Sequence, residues 1–328
     1  MTTTKTAPAP PASDYRLARL DDSVTARSVV LVLVAAVAAV LVYMSILNFI
    51  SRRTEIVPSF IRSTLPLLGE TVGPAVAFLV VDLCLVGLFL ALLLIPLAIL
   101  GRVRLVASIF TVRWVWSTVL SCLLVWVLLQ IVGVAVAVAS GSFGVNATWL
   151  EMGPLIGPIQ SGLDTIMANS FPEETVSRAI VLGLAFELFR RRLRMGGALA
   201  GAFGLSLVTF AVGHIPIAIF DGRDILGTML ASVPAGITYG LLFVITRNIY
   251  LLIVVHGIGN ATIAERFWIA DGVAIPEMIT YLVLLVVGLV AALPLLIARR
   301  RDQRRADLDG ADLHGADVDG ARPDHRPA

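Results

Sequence analysis

Charge is scarce in this chain. Of its 328 residues only 15% are charged and 58% are hydrophobic, against roughly 25% charged in an ordinary water-soluble domain. A soluble fold is therefore excluded as the expectation. Cysteine is scarcer still: Cys84 and Cys122 are the only two, and both lie in long apolar stretches. That excludes a disulfide framework and a cysteine-rich zinc site. Lysine occurs once, at Lys5. The formal net charge is only +2, and the arginines stand at the ends of apolar runs, where phosphate headgroups would meet them. Lipid bilayer, and not nucleic acid, is the expected partner. Alternation of polar and apolar residues is also missing from the apolar runs, which argues against membrane strands.

What remains is apolar length. A hydrocarbon core of about 30 Å takes roughly 20 apolar residues per helix. Candidate spans are Arg27–Ile50, Gly73–Leu100, Val115–Ser140, Phe171–Phe189, Ala198–Phe220, Ile225–Thr246, Ile249–Ile263 and Met278–Ala298. The seventh is short enough to be re-entrant or shielded by its neighbours. The expected fold class is an all-α polytopic membrane protein of about eight transmembrane helices. Residues 1–26 form a polar cytoplasmic tail, 27–298 the membrane domain, and 299–328 a basic and then disordered tail. The apolar run after Ala26 has no obvious cleavage site and is expected to be the first anchor.

Arginines cluster at Arg102, Arg104 and Arg113, at Arg190–Arg194, at Arg247 and at Arg299–Arg305, whereas Gly141–Ser170 has neither lysine nor arginine. The positive-inside rule then puts both termini in the cytoplasm, and the use of arginine with Lys5 as the sole lysine points to a bacterial plasma membrane as the location. Arg52, Arg53 and Arg62 dissent, because this topology puts their loop outside. The tail reads Ala306-Asp307-Leu308-Asp309-Gly310, Ala311-Asp312-Leu313-His314-Gly315, Ala316-Asp317-Val318-Asp319-Gly320, similar to pentapeptide-repeat proteins. Three copies are too few to bury a core. Gly197 with Gly201 and Gly236 with Gly240 have the spacing of close helix packing.

Ionisable residues inside a bilayer are costly, so each needs a partner or a task. Two of the four histidines, His214 and His256, lie in apolar runs. Glu173 and Glu174 open the fourth span, where Ser170 to Glu173 has the spacing of a capping box, Pro172 suits a first helical turn, and Glu174 stands one turn before Arg178. His214 lies sixteen residues beyond Ala198, a rise of about 24 Å, which is expected to bring it level with Glu173. His256 and Asn260 are one turn apart on one face. This set suits hydrolysis: Glu173 as general base towards a water held also by His214, with His256 and Asn260 donating to the oxyanion and Arg178 holding Glu174.

These residues resemble the CAAX protease and bacteriocin-processing (CPBP, Abi) family, which includes the Ras-converting prenyl endopeptidase. The family pattern Glu-Glu-x-x-x-Arg is similar to Glu173-Glu174-Thr175-Val176-Ser177-Arg178, Phe-x-x-x-His to Phe210-Ala211-Val212-Gly213-His214, and His-x-x-x-Asn to His256-Gly257-Ile258-Gly259-Asn260. The three lie in order within residues 171–263. The resemblance implies an eight-helix core with an intramembrane catalytic cavity, and an intramembrane endopeptidase acting on a membrane-embedded or lipidated peptide or protein. It leaves open a metal-free glutamate mechanism, which needs no cofactor, and a Zn2+ mechanism with Glu173, His214 and His256 as ligands. No His-Glu-x-x-His motif is present, and Asn260 is easier to understand as an oxyanion donor than as a ligand, so the glutamate mechanism is the expectation.

Two other classes fit parts of the pattern. A proton- or cation-coupled transporter would use intramembrane Glu, His and Asp82 as a relay, and it predicts inverted repeats. A non-catalytic peptide-binding or immunity protein would tolerate loss of Glu173.

Overall fold

Uninterrupted apolar runs leave the backbone one way to satisfy its own polar groups in lipid, and the chain takes it. A computed structural model describes residues 25–52, 74–102, 114–144, 165–260 and 277–305, and among these no strand occurs. The elements are α1 (Ala26–Arg52), α2 (Pro74–Ile99), α3 (Val115–Ala139), π1 (Thr165–Ser170), α4 (Phe171–Glu174), π2 (Thr175–Leu182), α5 (Gly183–Phe189), α6 (Met195–Gly213), α7 (Ile215–Asp221), α8 (Ile225–Ala231), α9 (Val233–Thr246), α10 (Ile249–Asn260) and α11 (Glu277–Ala291). A further helix, α12 (Leu293–Arg305), follows α11 at a bend of 42°.

Among the described residues five helices are long and apolar enough to cross a membrane: Ala26–Asn48, Leu79–Ile99, Val115–Ala139, Met195–Asp221 and Ile225–Thr246. Counting the bent α11–α12 pair as one span makes six. The chain is thus a multi-pass membrane protein, all-helical over the described residues. Two expected spans fall short of that test for physical reasons. The stretch from π1 to α5 carries Glu173, Glu174, Arg178 and Glu187, and α10 has 12 residues. They are also the two that hold the acidic motif and the second histidine motif.

The ends of the helices follow local chemistry. Thr25 caps α1 by accepting from the Ser28 N–H at 3.2 Å, and Asn248 caps α10 by accepting from Leu251 N–H at 2.9 Å. Gly101 and Gly141, with φ of 64° and 66°, close α2 and α3 in the left-handed conformation that only glycine adopts cheaply. Arg102 N–H then reaches back to Leu97 O at 2.8 Å, and Ser142 N–H to Ala137 O at 2.9 Å.

The described helices divide into two compact units. The first draws on 1–63, 84–111 and 172–236. In it α1 packs on π2, α5, α6 and α7, and π2 and α5 pack on α6. Its core is apolar side chains such as Val32, Ala36, Phe89, Leu93, Ile180, Leu184 and Phe186, all fully buried, with the Tyr43 and Phe89 rings edge to face at 5.6 Å. Gly201 lets the Phe189 ring approach, since a methyl there would stand 3.2 Å from it. The second unit draws on 64–83, 112–171 and 237–328. Here α10 packs on π1, α3 and α11, and Asn248 donates to Thr118 Oγ1 at 2.7 Å.

The expectations for the N-terminal tail, for Arg53 and Arg62, for most of the Gly141–Ser170 loop, for residues 261–263 and for the Asp/Gly repeat lie outside the described residues.

Candidate active site

The acidic motif does not begin a helix. Thr165–Ser170, upstream of the motif, is already helical, so the capping-box expectation is corrected: Ser170 and Glu173 sit inside a helical run. Pro172 has no N–H and its ring crowds the carbonyl four residues back. The chain accommodates it with wider π turns over Thr165–Ser170, and a second π stretch runs over Thr175–Leu182. Such wide turns are rare and concentrate at functional sites. Between them Glu173 and Glu174 are carried on a single α turn.

In the first unit four motif side chains form a row. Glu174 and Arg178 are both completely buried and paired, with Nε to Oε2 at 3.3 Å. Arg178 also donates from Nη2 to Gly236 O at 3.0 Å, and its guanidinium carbon lies 4.2 Å from the centre of the Phe210 ring. The next member is His214, edge to face with Phe210 at 4.8 Å. Glu173 is 6% exposed, in the same unit.

His214 occupies a break between α6 and α7. Pro216, two residues on, cannot donate to the preceding turn, and His214 N–H bonds only three residues back, to Ala211 O at 3.1 Å. Its Nδ1 lies 2.9 Å from Phe210 O. Since a carbonyl can only accept, Nδ1 carries a proton, and in the neutral form of the ring the lone pair is on Nε2. The Phe-x-x-x-His spacing therefore fixes a tautomer as well as a position.

In the second unit His256 is 2% exposed on α10, and Asn260 Nδ2 lies 2.9 Å from its Nε2. Tyr239 of α9 stacks on the imidazole, with centroids 4.2 Å apart and 24° between planes. Thr165 Oγ1 donates to Gly257 O at 2.9 Å. A methyl on Gly257 would stand 2.8 Å from the Ile166 Cα, so π1 and α10 touch only because that residue is glycine.

The six residues given catalytic roles from the sequence thus lie in two groups: Glu173, Glu174, Arg178 and His214 in the first unit, His256 and Asn260 in the second. Sequence reasoning missed the contributions of Tyr239 and of the Gly236 carbonyl. Gly236 was legible as a packing glycine, which it also is. Tyr239 left one signal, a phenol in an otherwise apolar stretch. Glu187, 1% exposed and paired with Arg190, was likewise unread.

A multi-pass helical membrane protein with buried acid, guanidinium and imidazole groups on internal helices is the class these features define. Residues 155–262 match the family model of the Type II CAAX prenyl endopeptidase Rce1-like proteins. The matched segment holds all three motifs, and it supports assignment of the chain to the CAAX protease (CPBP) family and, in general terms, to the CAAX-type intramembrane proteases. No curated protein and no solved structure matches the chain.

Proposed function

We propose that this protein is an intramembrane endopeptidase that hydrolyses a peptide bond in a lipidated or membrane-embedded substrate. Glu173 acts as general base towards a water that His214 also holds, and His256 with Asn260 stabilises the oxyanion. Arg178 neutralises Glu174 and keeps that carboxylate from competing for the water. The observation that carries this reading is the His214 hydrogen bond to Phe210 O at 2.9 Å, because it occupies Nδ1 and leaves Nε2 as the ring atom available to meet a water.

Zinc is the alternative for Glu173, His214 and His256. Asn260 Nδ2 at 2.9 Å from His256 Nε2 supports the metal-free reading, since a nitrogen that accepts from an amide has no lone pair left for a metal.

The proposed frame is an eight-span membrane domain over 27–298 enclosing a catalytic cavity, in the plasma membrane with both termini cytoplasmic. The arginines at Arg190–Arg194 and Arg299–Arg305 support that orientation.

The test is cleavage of a membrane-peptide library by purified full-length protein, comparing wild type, Glu173→Ala and His214→Ala with and without a strong chelator. Activity lost in both variants and retained under chelation is expected. Loss on chelation with rescue by zinc would overturn the mechanism, and ligand binding without cleavage in every form would overturn the enzyme assignment.

A further inference from the structure

We infer that Tyr239 is a positioning residue for His256, an inference whose catalytic half rests on the role proposed above for that histidine. No motif includes it. Tyr239 is 1% exposed and His256 2% exposed, and their rings lie nearly parallel, 4.2 Å apart and 24° from coplanar. Asn260 meets the edge of the imidazole at Nε2, 2.9 Å away. Face and edge are thereby held by different helices, α9 and α10.

The arrangement depends on a glycine. A methyl on Gly259 would stand 3.4 Å from Tyr239 Oη and 2.7 Å from Leu284 Cδ1, so the phenol reaches across α10 over a position where no side chain intrudes. With Asn260 donating, Nε2 accepts and the proton is on Nδ1. Turning the imidazole about its bond to Cβ would exchange the two edges and swap that arrangement. The ring would then have to pass edge-on through the volume that the Tyr239 face fills. Tyr239 acts on the orientation of His256, and so on which atom faces the oxyanion. It touches no reacting group itself.

Imidazole nitrogen NMR on the full-length protein in micelles, labelled with 15N only at histidine, reads this directly. The chain has four histidines, two of them in the C-terminal tail, so the signals of His214 and His256 can be assigned by substitution. Wild type and Tyr239→Phe, which keeps the ring, should show one His256 tautomer and kcat values within about threefold of each other on the peptide library. Tyr239→Leu should show averaged tautomers and a kcat lower by about 10- to 100-fold with KM little changed, the scale set by a displacement of about 1 Å at a reacting centre. An unchanged His214 signal certifies the fold of each variant, with Tyr239→Met as the second choice of similar bulk. A His256 signal or a kcat in Tyr239→Leu equal to wild type overturns the inference. Full activity in His256→Ala overturns the catalytic role of His256 instead, and the spectra still decide whether Tyr239 holds it.

Discussion

Replacing Arg178 by alanine removes a guanidinium that is completely buried, and its partner Glu174 is completely buried too. Three interactions go with it: the ion pair at 3.3 Å, the bond to Gly236 O at 3.0 Å and the contact with the Phe210 face at 4.2 Å. Breaking a buried pair by deleting one partner costs about 3–5 kcal/mol, mostly because the surviving charge is stranded. The lost bond to a carbonyl is worth about 1–3 kcal/mol and the cation–π contact about 2 kcal/mol in desolvated surroundings. These overlap, so about 3–5 kcal/mol is the expected destabilisation of Arg178→Ala. The double variant Glu174→Leu/Arg178→Met strands no charge and should come back to within about 1–2 kcal/mol of wild type. Unfolding in mixed micelles, followed by tryptophan fluorescence across a denaturing-detergent titration, measures both. Peptide cleavage should stay lost in the double variant, since Phe210, against which His214 packs, has lost the guanidinium over its own ring. Strictly additive destabilisation in the double variant, or a cost below about 1 kcal/mol for Arg178→Ala, would refute the reasoning.

Glycine substitutions should separate by what the new methyl meets. Gly236→Ala would bring a methyl to 2.5 Å from Leu207 Cδ1 and 3.2 Å from Phe210 Cδ1, and overpacking of this kind costs about 1–3 kcal/mol, with the Arg178 contacts disturbed as well. Gly257→Ala should lower the melting temperature more than Gly288→Ala, because the first meets the Ile166 backbone at 2.8 and 3.0 Å and the second only the movable Leu242 side chain at 2.9 and 3.0 Å. Asn248→Ala removes both the α10 cap and the bond to Thr118, and a loss of about 1–2 kcal/mol is expected in the same unfolding titration.

Apolar length made much of the architecture legible. The first three spans end within about two residues of the expected Arg27–Ile50, Gly73–Leu100 and Val115–Ser140, because what starts and stops them is composition. The pairing of Glu174 with Arg178 was legible too, since residues four apart share a helix face. The π turns were not. A register of five residues leaves no periodic trace in an all-apolar segment, and Pro172 read equally well as a first-turn residue. The break at His214 is encoded by Pro216 but cannot be told from a tolerated kink until the hydrogen bonds are seen. Tyr239 was out of reach for another reason: its contact with His256 joins residues of different helices, and sequence spacing carries no information about that.

The polarity of the segment from π1 to α5 bears on biosynthesis. A charged side chain at the centre of a single inserting helix costs about 2.5–3.5 kcal/mol on the translocon scale, and this stretch carries Glu173, Glu174, Arg178 and Glu187. Its apolar residues cannot offset all of that alone. Ion pairs with Arg178 and Arg190 remove part of the cost only once the helical turns that align them exist. The segment is therefore expected to integrate less readily by itself than α1, and glycosylation mapping of each segment in isolation would measure the difference.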